Sequence, residues 1–210
     1  MTPTKPNPLV IIVSGPSGSG KSTLVSKLRE LPGTLFSVSS TTRPPRTQES
    51  PGKWYDFISE QEFERMVREG EFLEFAQVFG HHRYGTPRKW LDKAREEQLD
   101  LVLEIDVQGA AQVKEKIPEA VAIFILPPSR QALTDRLARR ATDTADVIAR
   151  RLADSVADMS HYREFGYVVV NDDFDKAVGD LRRIVEGQGE DLRSDRPELR
   201  PLLTELLAAP

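Results

Sequence analysis

The residues with the clearest chemical potential are Gly15-Pro16-Ser17-Gly18-Ser19-Gly20-Lys21-Ser22-Thr23, which match the pattern G-x-x-x-x-G-K-S/T. Glycines at these spacings let the backbone turn tightly, so that several N–H groups converge on phosphate oxygens at the positive end of the helix that follows. Lys21 reaches the β- and γ-phosphates of a nucleoside triphosphate, and the Ser22 hydroxyl is placed to ligate Mg²⁺. The apolar run Leu9–Val13 precedes the loop and a helical pattern follows it, which is the context this motif requires and a chance glycine turn lacks. The nine residues therefore form a loop that binds a nucleoside triphosphate, which alone leaves kinase, GTPase, motor and transport ATPase open. A guanine-reading N-K-x-D loop is missing, since Asn171 is the sole Asn after residue 7, and 210 residues leave no room for a large mechanical apparatus. Transfer of phosphate to a second small molecule is what remains.

A second cluster offers a place for that molecule. In Ser37-Val38-Ser39-Ser40-Thr41-Thr42-Arg43-Pro44-Pro45-Arg46, prolines stiffen two arginines whose planar forks suit one dianionic phosphate. An isolated R-x-x-R is more often a solvated basic loop. Tyr55, Glu74 and the run Tyr84-Gly85-Thr86 follow; alone, Glu74 would pass for an exposed strand carboxylate and the tyrosines for packing residues. A third cluster is basic. Arg136, Arg139 and Arg140 share a helical face, with Arg150 and Arg151 in the next predicted helix, and a solvated face is the competing reading. Asn171-Asp172, after the last predicted strand, is either near the adenine of ATP or a plain strand-end turn.

Composition narrows the field. Without cysteine the chain has no disulfide framework, thiol nucleophile or cysteine-bound zinc, and three histidines leave little for a metal centre. The formal net charge, 29 − 33 = −4, argues against a dedicated nucleic-acid partner. Apolar runs such as Leu9–Val13, and even the longest, Ala120–Leu126, are too short for a membrane span, so a cytoplasmic protein is expected.

The elements that must position these residues alternate. Strands are expected over Leu9–Ser14, Phe36–Ser39, Glu71–Val78, Leu101–Asp106, Ala120–Leu126 and Tyr167–Asn171. Helices are expected over Lys21–Leu31, Ser59–Glu69, Pro87–Gln98, Gln108–Lys116, 129–140, 144–163 and Phe174–Glu186. Ser59-Glu60-Gln61-Glu62 is a capping box, with Ile58 and Phe63 as its hydrophobic staple. Residues 1–8 are expected to be a disordered tail, and residues 40–56 a proline-rich loop. This alternation describes an α/β fold with a parallel sheet flanked by helices.

The loop G-P-S-G-S-G-K-S-T, the segment S-V-S-S-T-T-R-x-P-R and the pattern E-F-x-E together resemble guanylate kinase over residues 9–186. The resemblance implies a P-loop kinase core (9–38, 99–129, 164–186), a small mixed α/β GMP-binding domain (39–98) and a helical lid (130–163). It implies Mg²⁺-dependent transfer of the ATP γ-phosphoryl group to GMP or dGMP, giving ADP and GDP. Carried over position by position, Arg43, Arg46, Tyr55 and Tyr84 would hold the GMP phosphate, and Ser39, Glu74, Thr86 and Asp106 would surround guanine. Lys21, Arg43, Arg136, Arg140 and Arg151 would act on the transferring phosphoryl group. Two departures from the family pattern stand out: Gly80-His81-His82-Arg83-Tyr84-Gly85-Thr86 is one residue longer than G-N-Y-Y-G-S/T, and Glu104 replaces the first Asp of L-D-I-D. Arg83 is either an added cation near the GMP phosphate or a solvated loop residue. The alternatives to GMP phosphorylation are a related kinase acting on a ribose bisphosphate and a non-catalytic guanylate-kinase-like binding module. Residues 187–210 extend beyond the resemblance. Their stripe Leu199, Leu202, Leu203, Leu206 and Leu207 must be buried by docking on the core or by self-association into a homo-oligomer.

Overall fold

Leu9 to Val13 leads the fold because a run apolar at every position suits a strand covered on both faces. In the computed structural model, which describes residues 8–45, 52, 55–78, 82–138 and 145–208, Ile11, Ile12 and Val13 are fully buried. In chain order the elements are β1 (Val10–Ser14), α1 (Lys21–Leu28), β2 (Thr34–Phe36), β3 (Ser39–Thr41), β4 (Tyr55–Phe57), α2 (Glu60–Arg68) and β5 (Phe72–Val78). Then follow β6 (His82–Pro87), α3 (Lys89–Glu96), β7 (Asp100–Glu104), α4 (Val107–Lys116), β8 (Val121–Leu126), α5 (Arg130–Ala138) and α6 (Ala145–Ser160). The last are β9 (Tyr167–Val170), α7 (Phe174–Val185) and α8 (Arg200–Leu206). Hydrogen bonding orders the strands as β2-β7-β1-β8-β9 in one sheet and β4-β3-β6-β5 in another.

Two compact units divide the chain: residues 1–11 with 32–120, and residues 12–31 with 121–210. In the first, β2 pairs parallel with β7, while β5 and β6 pair antiparallel beside the parallel pair β3–β4. Helix α2 begins where the sequence places it. The Ser59 hydroxyl accepts the Glu62 N–H at 3.1 Å, and Ile58 packs on a cluster of Phe63, Met66 and Phe72. In the second unit, β8 and β9 pair parallel, and the inward face of α7 buries Ala177, Leu181, Ile184 and Val185. The C-terminal leucines are used within this unit. Leu199, Leu203 and Leu206 are buried, and the Arg130 N–H donates to Glu205 of α8 at 2.9 Å.

Several boundaries differ from the sequence expectation. Helix α1 stops at Leu28 rather than Leu31, because the N–H groups of Glu30 and Leu31 reach back only three residues and Pro32 cannot continue the helix. The single strand expected over Phe36–Ser39 is two strands, β2 ending at Phe36 and β3 starting at Ser39, each in its own sheet. The loop expected over 40–56 contains Ser40 and Thr41 of β3 and Tyr55 and Asp56 of β4; three polar residues carry no apolar alternation, and β3 is held by β4 and β6. Helix α3 starts at Lys89, since Pro87 still belongs to β6. The 144–163 helix ends as a 3₁₀ turn over His161–Glu164.

Candidate functional site

Two clusters of candidate residues form, one in each unit. In the second unit the loop after β1 turns on its glycines. A Cβ on Gly15 would lie 2.5 Å from the Ile125 carbonyl oxygen, and Gly20, at φ +85°, would press one to 2.2 Å from the Asn171 amide nitrogen. Side chains from three later elements tie the loop down by its carbonyls. The Ser19 carbonyl accepts from Asn171 Nδ2 at 2.8 Å and from Arg136 Nη1 at 3.2 Å, while Arg136 Nη2 also donates to the Asn171 carbonyl at 3.1 Å. The Ser17 carbonyl accepts from the Ser155 hydroxyl of α6 at 3.2 Å. A trans peptide carries its N–H opposite its carbonyl, so fixing these two oxygens turns the Gly18 and Gly20 N–H groups the other way. That is how a loop becomes an anion cradle.

Lys21 folds over the loop and donates from Nζ to the Gly15 carbonyl at 3.1 Å. Ser22 and Thr23 are exposed on the first turn of α1, where no acidic side chain neutralises the helix's positive end. The Ser14 and Ser19 hydroxyls are buried and have no partner among the described residues. Arg151 lies one turn before Ser155 on α6 and is half-buried. Arg140 lies outside the described residues.

The first unit assembles the other cluster from four separate segments. Glu74 of β5 is 4% exposed, a rare environment for a carboxylate. Its Oε1 accepts the Thr86 N–H at 2.9 Å and the Thr86 hydroxyl at 2.6 Å. With that proton committed, Thr86 Oγ1 accepts from the Ser39 hydroxyl at 3.2 Å. Asp106 caps α4 by accepting the Gly109 N–H at 2.8 Å. Burial pushes the Glu74 carboxyl up to about 7; the Thr86 hydroxyl opposes this, the Asp106 charge adds to it, and the Thr86 N–H and Lys116 oppose it more weakly. The pocket therefore holds a carboxylate that gains by meeting new hydrogen-bond donors.

Beside it, Arg43 donates from Nε to the Tyr84 hydroxyl at 3.0 Å and lies 5.5 Å from the Tyr55 ring centroid. The two tyrosine rings meet edge-on, 5.6 Å apart. Three of the four expected phosphate-binding residues are thus together, and Arg46 lies outside the described residues. Arg83 stands 3.5 Å from Glu60 and 3.5 Å from Glu64 and stacks over Phe63, so α2 occupies it. Gly80 and His81, the start of the segment that is one residue longer, lie outside the described residues. A separate cleft of about 690 Å³ in this unit is lined by α2 and the turn after it, the start of α3, and Ser40, Asp56 and Phe57 of β3 and β4, and contains none of the two clusters' side chains.

Sequence reasoning missed Gly109, Gln112, Lys116 and Ser155. A Cβ on Gly109 would fall 2.4 Å from Glu74 Oε2, so only glycine leaves that oxygen its place. Glycine inside a helix costs about 1 kcal/mol relative to alanine, and that local cost was the signal available. Ser155 gave none.

Fold and loop together define a P-loop nucleotide-binding protein of the α/β class. The sequence profile of the guanylate kinase family matches residues 7–188. Curated relatives named guanylate kinase include one from Alkalilimnicola ehrlichii, 46% identical over 197 residues (93% of this chain, 97% of the relative). Another, from Methylococcus capsulatus, is 46% identical over 200 residues (95% and 98%). A crystal structure of guanylate kinase from Anaplasma phagocytophilum superposes with a TM-score of 0.70 at 31% identity, covering 98% of this chain and 99% of that one. The chain belongs to the guanylate kinase family.

Proposed function

We propose that this enzyme transfers the γ-phosphoryl group of ATP to GMP, and to dGMP, giving ADP and GDP within purine nucleotide metabolism in the cytoplasm. The observation that carries the reading is the buried Glu74 carboxylate beside Thr86 and Ser39. Guanine offers N1–H and an N2 amino group as donors, whereas a carboxylate only accepts. Adenine would set its N1 lone pair against that acceptor and leave both unpaired. Sites built on a buried polar partner reject the wrong ligand by about 10⁴–10⁵. Arg43, Tyr55 and Tyr84, with Arg46, hold the GMP phosphate, and Asp106 lies beside the base.

Residues 15–23 hold the ATP phosphates through backbone N–H groups, with Lys21 as their cation. Asn171 stabilises this loop from the side on which adenine is expected. Arg136, Arg151 and Arg140 offset the charge that spreads over the phosphoryl oxygens in the transition state, a contribution of about 10³–10⁵ in rate in comparable sites. The described residues contain no cluster of three or more His, Asp or Glu side chains able to hold a metal. This donor set fits Mg²⁺ arriving with the nucleotide, held by Ser22 and phosphate oxygens. The ion supplies charge neutralisation on the β- and γ-phosphates when bound. The reading includes domain roles: residues 39–98 for GMP and 130–163 as the lid. No helix among the described residues is long and apolar enough to cross a membrane.

The test is ADP release with Mg·ATP against GMP, dGMP, AMP, CMP, UMP and ribose 1,5-bisphosphate. Turnover confined to guanine nucleotides is expected. Turnover of the ribose ester alone would overturn the base pocket, and silence with every acceptor would favour a binding module.

A further inference from the structure

Glu74 lies in the outermost strand of its sheet, where one side of the backbone has no neighbouring strand. The β5–β6 register breaks at Leu73: Phe72 stands opposite Pro87 and Glu74 opposite Thr86, so two steps along β5 match one along β6. A bulge of this kind adds local twist and re-aims the side chain that follows. Here it brings the Glu74 carboxylate onto the N–H of Thr86, its own cross-strand neighbour. A bulge on an open edge is also a weak point, because a slip of one residue would turn Glu74 to the other face.

One face of α4 grips that edge. Gly109, Gln112 and Lys116 fall at i, i+3 and i+7, on the same side of the helix. The Gln112 amide accepts the Phe75 N–H through Oε1 at 3.2 Å and donates through Nε2 to the Phe75 carbonyl at 2.7 Å. This copies the paired bonds that a neighbouring antiparallel strand would make. Lys116 Nζ donates to the carbonyl of the bulged residue Leu73 at 2.5 Å. The backbone is thus held immediately before and immediately after Glu74, while Gly109 leaves room for its free oxygen. Lys116 also favours the charged form of Glu74, which is the form guanine's donors need.

We infer that Gln112 and Lys116 are positioning residues for base selection, clamping the bulged edge on either side of Glu74 so that its carboxylate stays where guanine must meet it. The inference rests on the GMP reading above and goes beyond it, since neither side chain is assigned a contact with substrate. It separates what recognises the base from what keeps the recogniser in place.

The experiment is steady-state kinetics of the full chain, wild type and the variants Gln112→Ala and Lys116→Met, with GMP, IMP and AMP as acceptors. In both variants KM for GMP should rise about 10-fold or more, as expected for a displaced contact, and the preference for GMP over AMP should narrow by a similar factor. KM for ATP should stay put. Gln112→Glu keeps the acceptor for Phe75 N–H but has nothing to donate to the Phe75 carbonyl, so it should fall between wild type and Gln112→Ala; Lys116→Arg should restore wild-type selection. If Gln112→Ala does not fold, Gln112→Glu and Lys116→Met carry the same test. A lowered melting temperature with an unchanged ratio of the GMP and ATP KM values would reduce the clamp to ordinary stability and overturn the inference. A wild-type enzyme that ignores GMP would instead reject the functional reading beneath it.

Discussion

On the proposed function, the phosphate loop and the base pocket would recognise their ligands by opposite means. The loop works with backbone: its donors are peptide N–H groups, contiguous in sequence, aimed by carbonyl ties to Arg136, Asn171 and Ser155. The pocket works with side chains drawn from β3, β5, β6 and the start of α4, centred on one buried carboxylate. Backbone donors suit any phosphate and do not titrate. A buried carboxylate selects one base and is sensitive to protons. On that reading, breadth of recognition and sensitivity to pH belong to different units of this chain.

The sharpest way to break that contrast is Lys21→Ala. Turnover should fall by about 10³-fold or more, because a cation on the transferring phosphates is lost, while GMP affinity measured by calorimetry stays intact. A variant that retains wild-type turnover would remove Lys21 from the chemistry. Glu74→Gln should come next, lowering kcat/KM for GMP by about 10²–10³ and leaving KM for ATP alone. The same change should make the ligand-free protein more stable. The Glu74 carboxyl rises from an ordinary 4.5 to about 7 on folding, so the native state holds its proton longer than the unfolded chain. Stability is consequently lost as pH climbs from 4.5 through 7, by about 3 kcal/mol in all. Thermal melts at pH 8 should show Glu74→Gln gaining most of that amount, and melts near pH 4.5 should show almost no gain.

Smaller effects sharpen the comparison further. In the wild type, KM for GMP should rise about tenfold per pH unit below 7 as the carboxyl protonates, while KM for ATP stays level over that range. Parallel changes in both would place the titrating group elsewhere. Ser155→Ala, which frees one loop carbonyl, should raise KM for ATP by only about 3–10-fold, the worth of a single hydrogen bond, without touching GMP.

The same contrast explains what the sequence disclosed. A phosphate loop is a local object: nine consecutive residues between a strand and a helix carry their geometry with them, and β1 and the start of α1 stand where the pattern puts them. Continuous apolar runs likewise revealed β7, β8 and β9, buried at successive positions, and α7 buries one face at helical spacing. The short strands β3 and β4 escaped, since residues such as Ser39-Ser40-Thr41 become a strand only through partners elsewhere in the chain. Glu74 alone looked like a surface carboxylate. Only the resemblance to a family marked it, because its burial depends on Thr86 twelve residues away and on a helix beginning beyond residue 106. Gln112 and Lys116 left no trace at all, as their partners are main-chain atoms of another element, which any residue type supplies.

The C-terminal extension bears on how the molecule is made. Beyond β9, the Ser194 N–H donates to the Gly166 carbonyl at 3.1 Å, Arg193 bridges to Tyr167, and the Arg196 guanidinium donates to the Val168 carbonyl at 2.9 Å. These bonds fall on the side of β9 away from β8, the last position in its sheet. Residues 193–196 follow every strand of that sheet in the chain, so the open side of β9 stays available to other nascent chains until this segment has been made and has docked. Docking of residues 193–196 is then also the event that seals that edge against its neighbours.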